Sequence, residues 1–345
     1  MKSKLTMKDN FLRLLRNEMP ESVPIHTMGI MENHGESPYK LVGPFLFDET
    51  RLVPVPGGYT DIWGVRLVTN KETGFGCIPE PGNFILKDIT KWRDIIKRPE
   101  MPEHIDWEAM ARKDEKVFNW NPEKNARMGV IGMMPFQSLM EFMGFNEGLL
   151  AMAEEPEECF ALLDYMADLY VPIVEAAVNY YDLDCIYLLD DTATKYNPFI
   201  SVDMYREILK PIYIKLTKPA VDRGIPVQFH NCGRCEAFIP DMLDFGVKIL
   251  EPLQTQNHLD DIKKTYAGKL IMAGCYDWNP PVDWPHVDEE KIRQEVRDMV
   301  DRFAPGGGYI ASAGSIAAAG DEVMAKVNMW CADELYHYCQ DYYIR

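Results

Sequence analysis

The chain has 345 residues, 47% of them hydrophobic, enough for one large α/β barrel or for two ordinary domains. Lys and Arg number 36 against 54 Asp and Glu, and the formal net charge of −18 disfavours nucleic acid, anionic lipid and polyanionic substrates as partners. No apolar run approaches the roughly 20 residues that span a bilayer, and eight scattered cysteines without a secretory leader predict reduced thiols in a cytoplasmic protein, not a disulfide framework.

Residues 5–19 carry an amphipathic pattern interrupted by charge, which predicts an N-terminal helix. Ser22 to Ile30 reads as a first strand, followed by Glu32, Asn33, His34 and Gly35. Residues 36–125 are irregular and rich in Pro and Gly. Within them, Tyr59 to Val68 and the turn residues Asn70 to Gly74 predict a β-hairpin excursion at a barrel rim, with a second barrel strand near Leu52 to Val55.

From Met128 onward the pattern becomes regular. Short apolar runs at 128–135, 185–189, 226–230, 247–250, 269–273 and 307–311 alternate with helical patterns at 137–154, 156–181, 202–222, 236–244, 258–266, 288–303 and 320–340. Strands alternating with helices build a parallel sheet from βαβ units. With the earlier strands the number reaches eight, so the expected fold is a single (β/α)8 TIM barrel over 1–345, its active site at the strand C-terminal ends. A doubly wound sheet is the competing architecture, and no Gly-x-Gly-x-x-Gly follows a first strand to support it.

The strand ends carry the chemistry. Val227-Gln228-Phe229 runs into His230-Asn231-Cys232-Gly233, and residues two apart on an extended backbone point to one side. The next strand ends on Glu251, so an imidazole, a thiol and a carboxylate converge from adjacent strands, a plausible zinc set with a fourth position for Cys275, Ser312 or water. Asp190 and Asp191 end the 185–189 strand; neighbours point to opposite sides, so one of them faces the bowl as a general acid or substrate-positioning group and the other caps a turn. His34, on its Gly-bearing loop, is a further candidate for contact with substrate. The motifs of nucleotide hydrolysis, of the serine-hydrolase elbow and of the metalloprotease helix are all missing.

His230-x-Cys232-Gly233, Leu189-Asp190-Asp191, Asp61-x-Trp63-Gly64 and Gly308-Tyr309-Ile310-x-Ser312-x-Gly314 resemble the uroporphyrinogen decarboxylase superfamily, over nearly the whole chain from about Ser22. That resemblance implies a (β/α)8 barrel and one of two activities. The decarboxylase branch holds its many substrate carboxylates with an Arg-rich stretch at the first strand. Here that place reads His26-Thr27-Met28-Gly29-Ile30-Met31, without the guanidinium forks that polycarboxylate binding requires. The other branch comprises zinc methyltransferases that exchange methyl groups with a corrinoid (cobalamin) protein. They use His-x-Cys from the fifth strand, often an acidic residue from the sixth, and a Cys from the eighth. His230, Cys232 and Glu251 match; the eighth-strand position holds Ser312-Ala313-Gly314-Ser315 and no Cys.

By resemblance, then, the chain looks closer to members that demethylate methoxylated aromatics, which use less thiolate-rich zinc sites, than to the coenzyme M enzymes. The expected activity is transfer of a methyl group from a small methylated donor to the cobalt of a corrinoid carried by a partner protein, with zinc as Lewis acid. The reverse transfer, from methyl-corrinoid to a thiol, and a non-catalytic corrinoid- or metal-binding role are the alternatives.

Overall fold

A computed structural model describes residues 4–26, 37–43, 57–69, 77–117, 119–277, 286–315 and 320–345. Ten strands occur among them. β1 (Tyr39–Val42), β5 (Ala126–Val130), β6 (Cys185–Leu189), β7 (Val227–His230), β8 (Val247–Leu253), β9 (Ile271–Gly274) and β10 (Tyr309–Ala311) form one parallel sheet in that order. β2 (Tyr59–Thr60), β3 (Arg66–Thr69) and β4 (Cys77–Pro79) form a small antiparallel sheet.

The parallel sheet curls into a TIM barrel. At the free edge of β10, Ile25 makes a parallel bridge to Ala311, with His26 N–H donating to Ala311 O and Ala311 N–H to Pro24 O at 2.9 Å each. His26 then meets Tyr39 of β1, the opposite edge: the rings stack at 5.4 Å and the Tyr39 hydroxyl is hydrogen-bonded to His26 Nδ1. Of the first predicted strand, Ser22 to Ile30, only residues 22–26 are described, and among them Ile25 makes this single bridge. The second barrel position is taken by β1, inside the stretch expected to be irregular; the predicted site near Leu52 to Val55 lies outside the described residues.

Strand alternation divides the core in two. Tyr39, Ala126, Met128, Cys185, Tyr187, Ile249, Ile271, Ala273 and Ile310 point into the barrel, where Phe11 and Leu14 of the helix Met7–Leu15 close the N-terminal end. Ile186, Leu188, Phe229, Leu250 and Met272 point outward and pack beneath the helices. Thr6 and Asp9 form a reciprocal capping box that starts the first helix, so its buried stripe is set against the barrel floor. Burying a side chain such as Phe11 contributes about 1.5–3 kcal/mol.

Helices on either side of β7 are clamped by a buried carboxylate. Arg206 Nε donates to both oxygens of Asp241 at 3.0 Å and Lys210 Nζ to Oδ1 at 2.8 Å. Burial works to raise the Asp241 pKa, but these two cations outweigh it and hold the carboxyl below its ordinary value. A depressed acid contributes stability that is present above its unfolded pKa, near 3.9, and is lost as pH falls through the folded value. Urea titrations should show wild type more stable than Asp241→Asn at pH 7, with the gap closing below about pH 4.

Candidate metal centre

β6 and β7 are in register with Leu189 opposite His230, and β7 and β8 with His230 opposite Glu251. The polar ends of the three strands therefore arrive at one height. His230 Nε2 stands 3.5 Å from Cys232 Sγ and 3.8 Å from Asp191 Oδ1, and one ligand atom from each of Asp191, His230 and Cys232 lies within 4.8 Å of the others. A tetrahedral zinc with bonds of about 2.0–2.3 Å places its ligands about 3.4–3.6 Å apart. The donor atoms fit such an ion in chemistry and in spacing, and three protein ligands leave a fourth position for a substrate.

Backbone pinning holds this arrangement. Cys232 N–H donates to Asp191 Oδ1 at 2.7 Å, Gly233 N–H to Gln254 Oε1 at 2.6 Å, and Arg234 N–H to Thr194 O at 2.8 Å. Asn231 joins Thr192 in both directions, its amide donating to Oγ1 at 2.8 Å and its carbonyl oxygen accepting from Thr192 N–H at 3.2 Å. At Gly233 φ is +84°, and a Cβ there would fall 2.5 Å from Thr194 O and 2.6 Å from Ala193 O. The Gly after His-x-Cys is thus required both by backbone conformation and by contact with the β6 loop.

Glu251 occupies a different place from the ligand position expected of it. Its side chain is 2% exposed, and Oε2 accepts from His230 Nδ1 at 3.0 Å and from the Tyr187 hydroxyl at 3.0 Å. Burial alone would raise its pKa, but His230, His26 and Tyr187 bring it down to about 2, so the group is a carboxylate. It holds the far nitrogen of the imidazole and leaves Nε2 facing Cys232 and Asp191, the outer-sphere arrangement common at metal-binding histidines.

The aspartate pair divides its roles. Asp191 faces the cluster, 34% exposed, and Gln137 Nε2 donates to its Oδ2 at 3.4 Å. Asp190 turns away and is 1% exposed. Its oxygens accept from Phe136 N–H at 2.6 Å, Gln137 N–H at 3.0 Å and the Tyr213 hydroxyl at 2.7 Å. Burial pushes its pKa up to about 7 against the pull of those three donors. Asp190 anchors the start of the helix Pro135–Met143 and offers no atom to the bowl.

Cys275 is not brought to the cluster. β9 ends at Gly274, and positive φ at both Gly274 (+93°) and Cys275 (+64°) turns the chain, so the thiol leaves the inward phase of Ile271 and Ala273 and joins the outer core. There it lines a cavity of about 360 Å³ with His258, Asp260, Arg302 and Phe303. His34 lies outside the described residues. Ser312 directly follows β10.

Four inward side chains that sequence reasoning left unused build the floor beneath the cluster: Tyr187, Gln228, Tyr39 and His26. Tyr187 and Gln228 stand level across β6 and β7. Gln228 Nε2 donates to the Tyr39 hydroxyl at 3.4 Å, and His26 Nε2 is 3.9 Å from Glu251 Oε1. Strand alternation was the available signal, since Tyr187 is two before the end of its strand and Gln228 two before His230.

The uroporphyrinogen decarboxylase (URO-D) family model matches residues 70–320. Among solved structures, a methyltransferase from Methanosarcina mazei has a TM-score of 0.58 at 15% identity, covering 96% of this chain and 100% of that one. At that identity the likeness is one of fold. A sugar phosphate isomerase/epimerase from Parabacteroides distasonis ATCC 8503 gives 0.31 at 10% identity, covering 64% and 74%. No curated protein matches the sequence. No helix among the described residues is long and apolar enough to cross a membrane.

Proposed function

We propose a methyltransferase function for this chain, which belongs to the uroporphyrinogen decarboxylase (URO-D) family. The reaction is transfer of a methyl group from a small methylated donor, a methoxylated aromatic or another methyl ether, to the cobalt of a corrinoid held by a partner protein. Asp191, His230 and Cys232 hold a zinc ion, and their convergence at the mouth of the barrel is the observation that carries this reading. Zinc bound there supplies Lewis acidity toward the donor heteroatom, so that it departs more readily when the methyl carbon is attacked.

The protein's own groups set the conditions. Glu251 and Tyr187 keep the His230 ring turned so that Nε2 faces the mouth. The pinned 231–234 loop keeps the Cys232 thiol within reach of Nε2 without rearrangement. Burial raises the Cys232 pKa although His230 pulls it down, so in the metal-free protein the sulfur keeps its proton at neutral pH. Of the two carboxylates after β6, Asp191 alone reaches the reacting end. The sequence His26 to Met31 contains no Arg, which argues against a polycarboxylate substrate and so against the decarboxylase activity for which the family is named.

The test is spectroscopic. Zinc-loaded protein mixed with a reduced corrinoid protein and a methoxylated arene should convert the cob(I)alamin spectrum to that of methyl-cob(III)alamin. The absence of any change across methoxylated and methylthio donors would remove the proposal.

A further inference from the structure

Three successive backbone N–H groups in the loop after β7 are each taken by a different neighbour. That of Cys232 goes to Asp191 Oδ1, that of Gly233 to Gln254 Oε1 and that of Arg234 to Thr194 O. The middle one, at 2.6 Å, is held from the β8 side, by the residue that follows that strand. A peptide unit is planar, so holding its N–H also holds the carbonyl it shares. With the N–H of Cys232 on Asp191 and that of Gly233 on Gln254, both peptide planes flanking the Cys232 Cα are fixed, and so is the direction in which its side chain leaves. Gln254 is held in turn by Asp277. Its Nε2 donates to Asp277 Oδ1 at 3.0 Å, while Asp277 Oδ2 accepts from the N–H and the hydroxyl of Thr255 at 2.7 and 2.6 Å. The Gln254 amide admits one orientation. A backbone N–H only donates and a carboxylate only accepts, so the flipped amide would set donor against donor and acceptor against acceptor.

The end of β9 is shaped to bring Asp277 to that place. β8 and β9 pair as far as Leu253 and Gly274, and the N–H of Cys275 donates to Leu253 O at 2.8 Å. Positive φ at Gly274 and Cys275 then turns the chain, and two residues later the Asp277 carboxylate meets Gln254 and Thr255. A non-Gly residue in the left-handed region is costly, and such residues cluster where a site needs a particular arrangement. We propose that Gln254 and Asp277 are positioning residues for the metal centre: Asp277 holds Gln254, Gln254 holds the peptide between Cys232 and Gly233, and that peptide aims the Cys232 sulfur at the cation position. The inference rests on the reading of Asp191, His230 and Cys232 as the ligand set. It extends the site to the ends of β8 and β9. The turn that takes the Cys275 thiol out of the barrel is then the same turn that supplies the anchor of this chain of contacts.

Gln254→Met keeps the length of the side chain and removes both polar ends. Zinc affinity, by competition with a chromophoric chelator, should fall about tenfold or more in this variant, the scale of outer-sphere losses. With cobalt(II) in place of zinc, its thiolate-to-metal absorption band, which reads the sulfur directly, should weaken. Asp277→Ala leaves Gln254 in place but unheld and should lose less. In the Gln254→Met background Asp277→Ala should change affinity by no more than about twofold, because the two act through one chain of contacts. Gln254→Glu sets a carboxylate against Asp277 and should weaken binding; adding Asp277→Asn exchanges amide and carboxylate and should recover most of the affinity. In the metal-free protein, amide hydrogen exchange at Gly233 should be slow in wild type and faster in Gln254→Met and Asp277→Ala. Both side chains are half-buried; if Gln254→Met does not fold, Asp277→Ala and the exchanged pair decide by the same readouts. Wild-type affinity in Gln254→Met, additive losses in the double variant, or no recovery in the exchanged pair would overturn the proposal. A wild-type protein that binds no zinc would instead remove the ligand-set reading, and Gly233 exchange in Asp277→Ala would still decide whether Asp277 and Gln254 hold the loop.

Discussion

Cys232→Ala is expected to leave the purified protein with almost no zinc by elemental analysis, and to weaken zinc binding by more than the roughly 10–100-fold that loss of an outer-sphere partner costs. The sulfur is the one soft, anionic donor in the cluster, and an imidazole with a carboxylate makes a much weaker and less selective site for zinc. Asp191→Ala should approach the same loss, since it deletes the carboxylate donor and also the acceptor of the Cys232 N–H. Cys235 is the control three residues away. Its thiol is fully buried and points to Asn231 O at 3.6 Å, outside the cluster, so Cys235→Ala should retain full zinc. Cys275→Ala should as well. Full zinc occupancy in Cys232→Ala would end the metal reading, and loss of zinc in Cys275→Ala would show that the thiol swings inward when a cation is bound.

His230 and Cys232 were legible because period-two geometry is local: an apolar strand that stops on a His, with Cys two further on, delivers both to one side whatever the rest of the chain does. The same geometry carried more than was read from it. Cys185, Tyr187 and Leu189 belong to the inward phase of β6, and extending it by two selects Asp191 over Asp190. For Cys275 the extension fails. Counting by two from Ile271 and Ala273 points it into the barrel, but left-handed backbone at 274 and 275 reverses the direction, and a non-Gly residue at positive φ is not foreseeable from residue type. Glu251 lies beside the imidazole of His230 and not among the clustered donor atoms. Whether a strand-end carboxylate meets a cation or the histidine beside it depends on register to a neighbouring strand, and the pairing of His230 with Glu251 puts it level with the ring. β1 was missed for a simpler reason: four residues between Pro38 and Gly43 are too few to show a period.

Asp190→Ala should be among the most destabilising single changes in the barrel while leaving every donor atom of the cluster in place. Helix Pro135–Met143 starts without a side-chain cap of its own, and its first turn is satisfied across space by Asp190, which takes the N–H groups of Phe136 and Gln137. The same carboxyl accepts the hydroxyl of Tyr213, a fully buried ring that packs against Phe229 at 5.4 Å and so touches the back of β7. Truncation strands three buried donors at about 1–3 kcal/mol each, and partial rearrangement brings the expected loss to roughly 3–5 kcal/mol by urea denaturation. Asp190→Asn keeps the shape but turns one acceptor into a donor facing donors, so an intermediate loss of about 1–3 kcal/mol is expected. Asp191→Ala, by contrast, removes a partly exposed group that takes one backbone N–H, that of Cys232, and should destabilise the metal-free protein by about 1–2 kcal/mol, less than Asp190→Ala. The two neighbours thus separate on two axes, stability for Asp190 and cation binding for Asp191. The division would be reversed by an Asp190→Ala protein that unfolds at the wild-type urea midpoint yet has lost methyl transfer. That result would move Asp190 from the scaffold into the chemistry and require the start of the Pro135–Met143 helix to be held by something else.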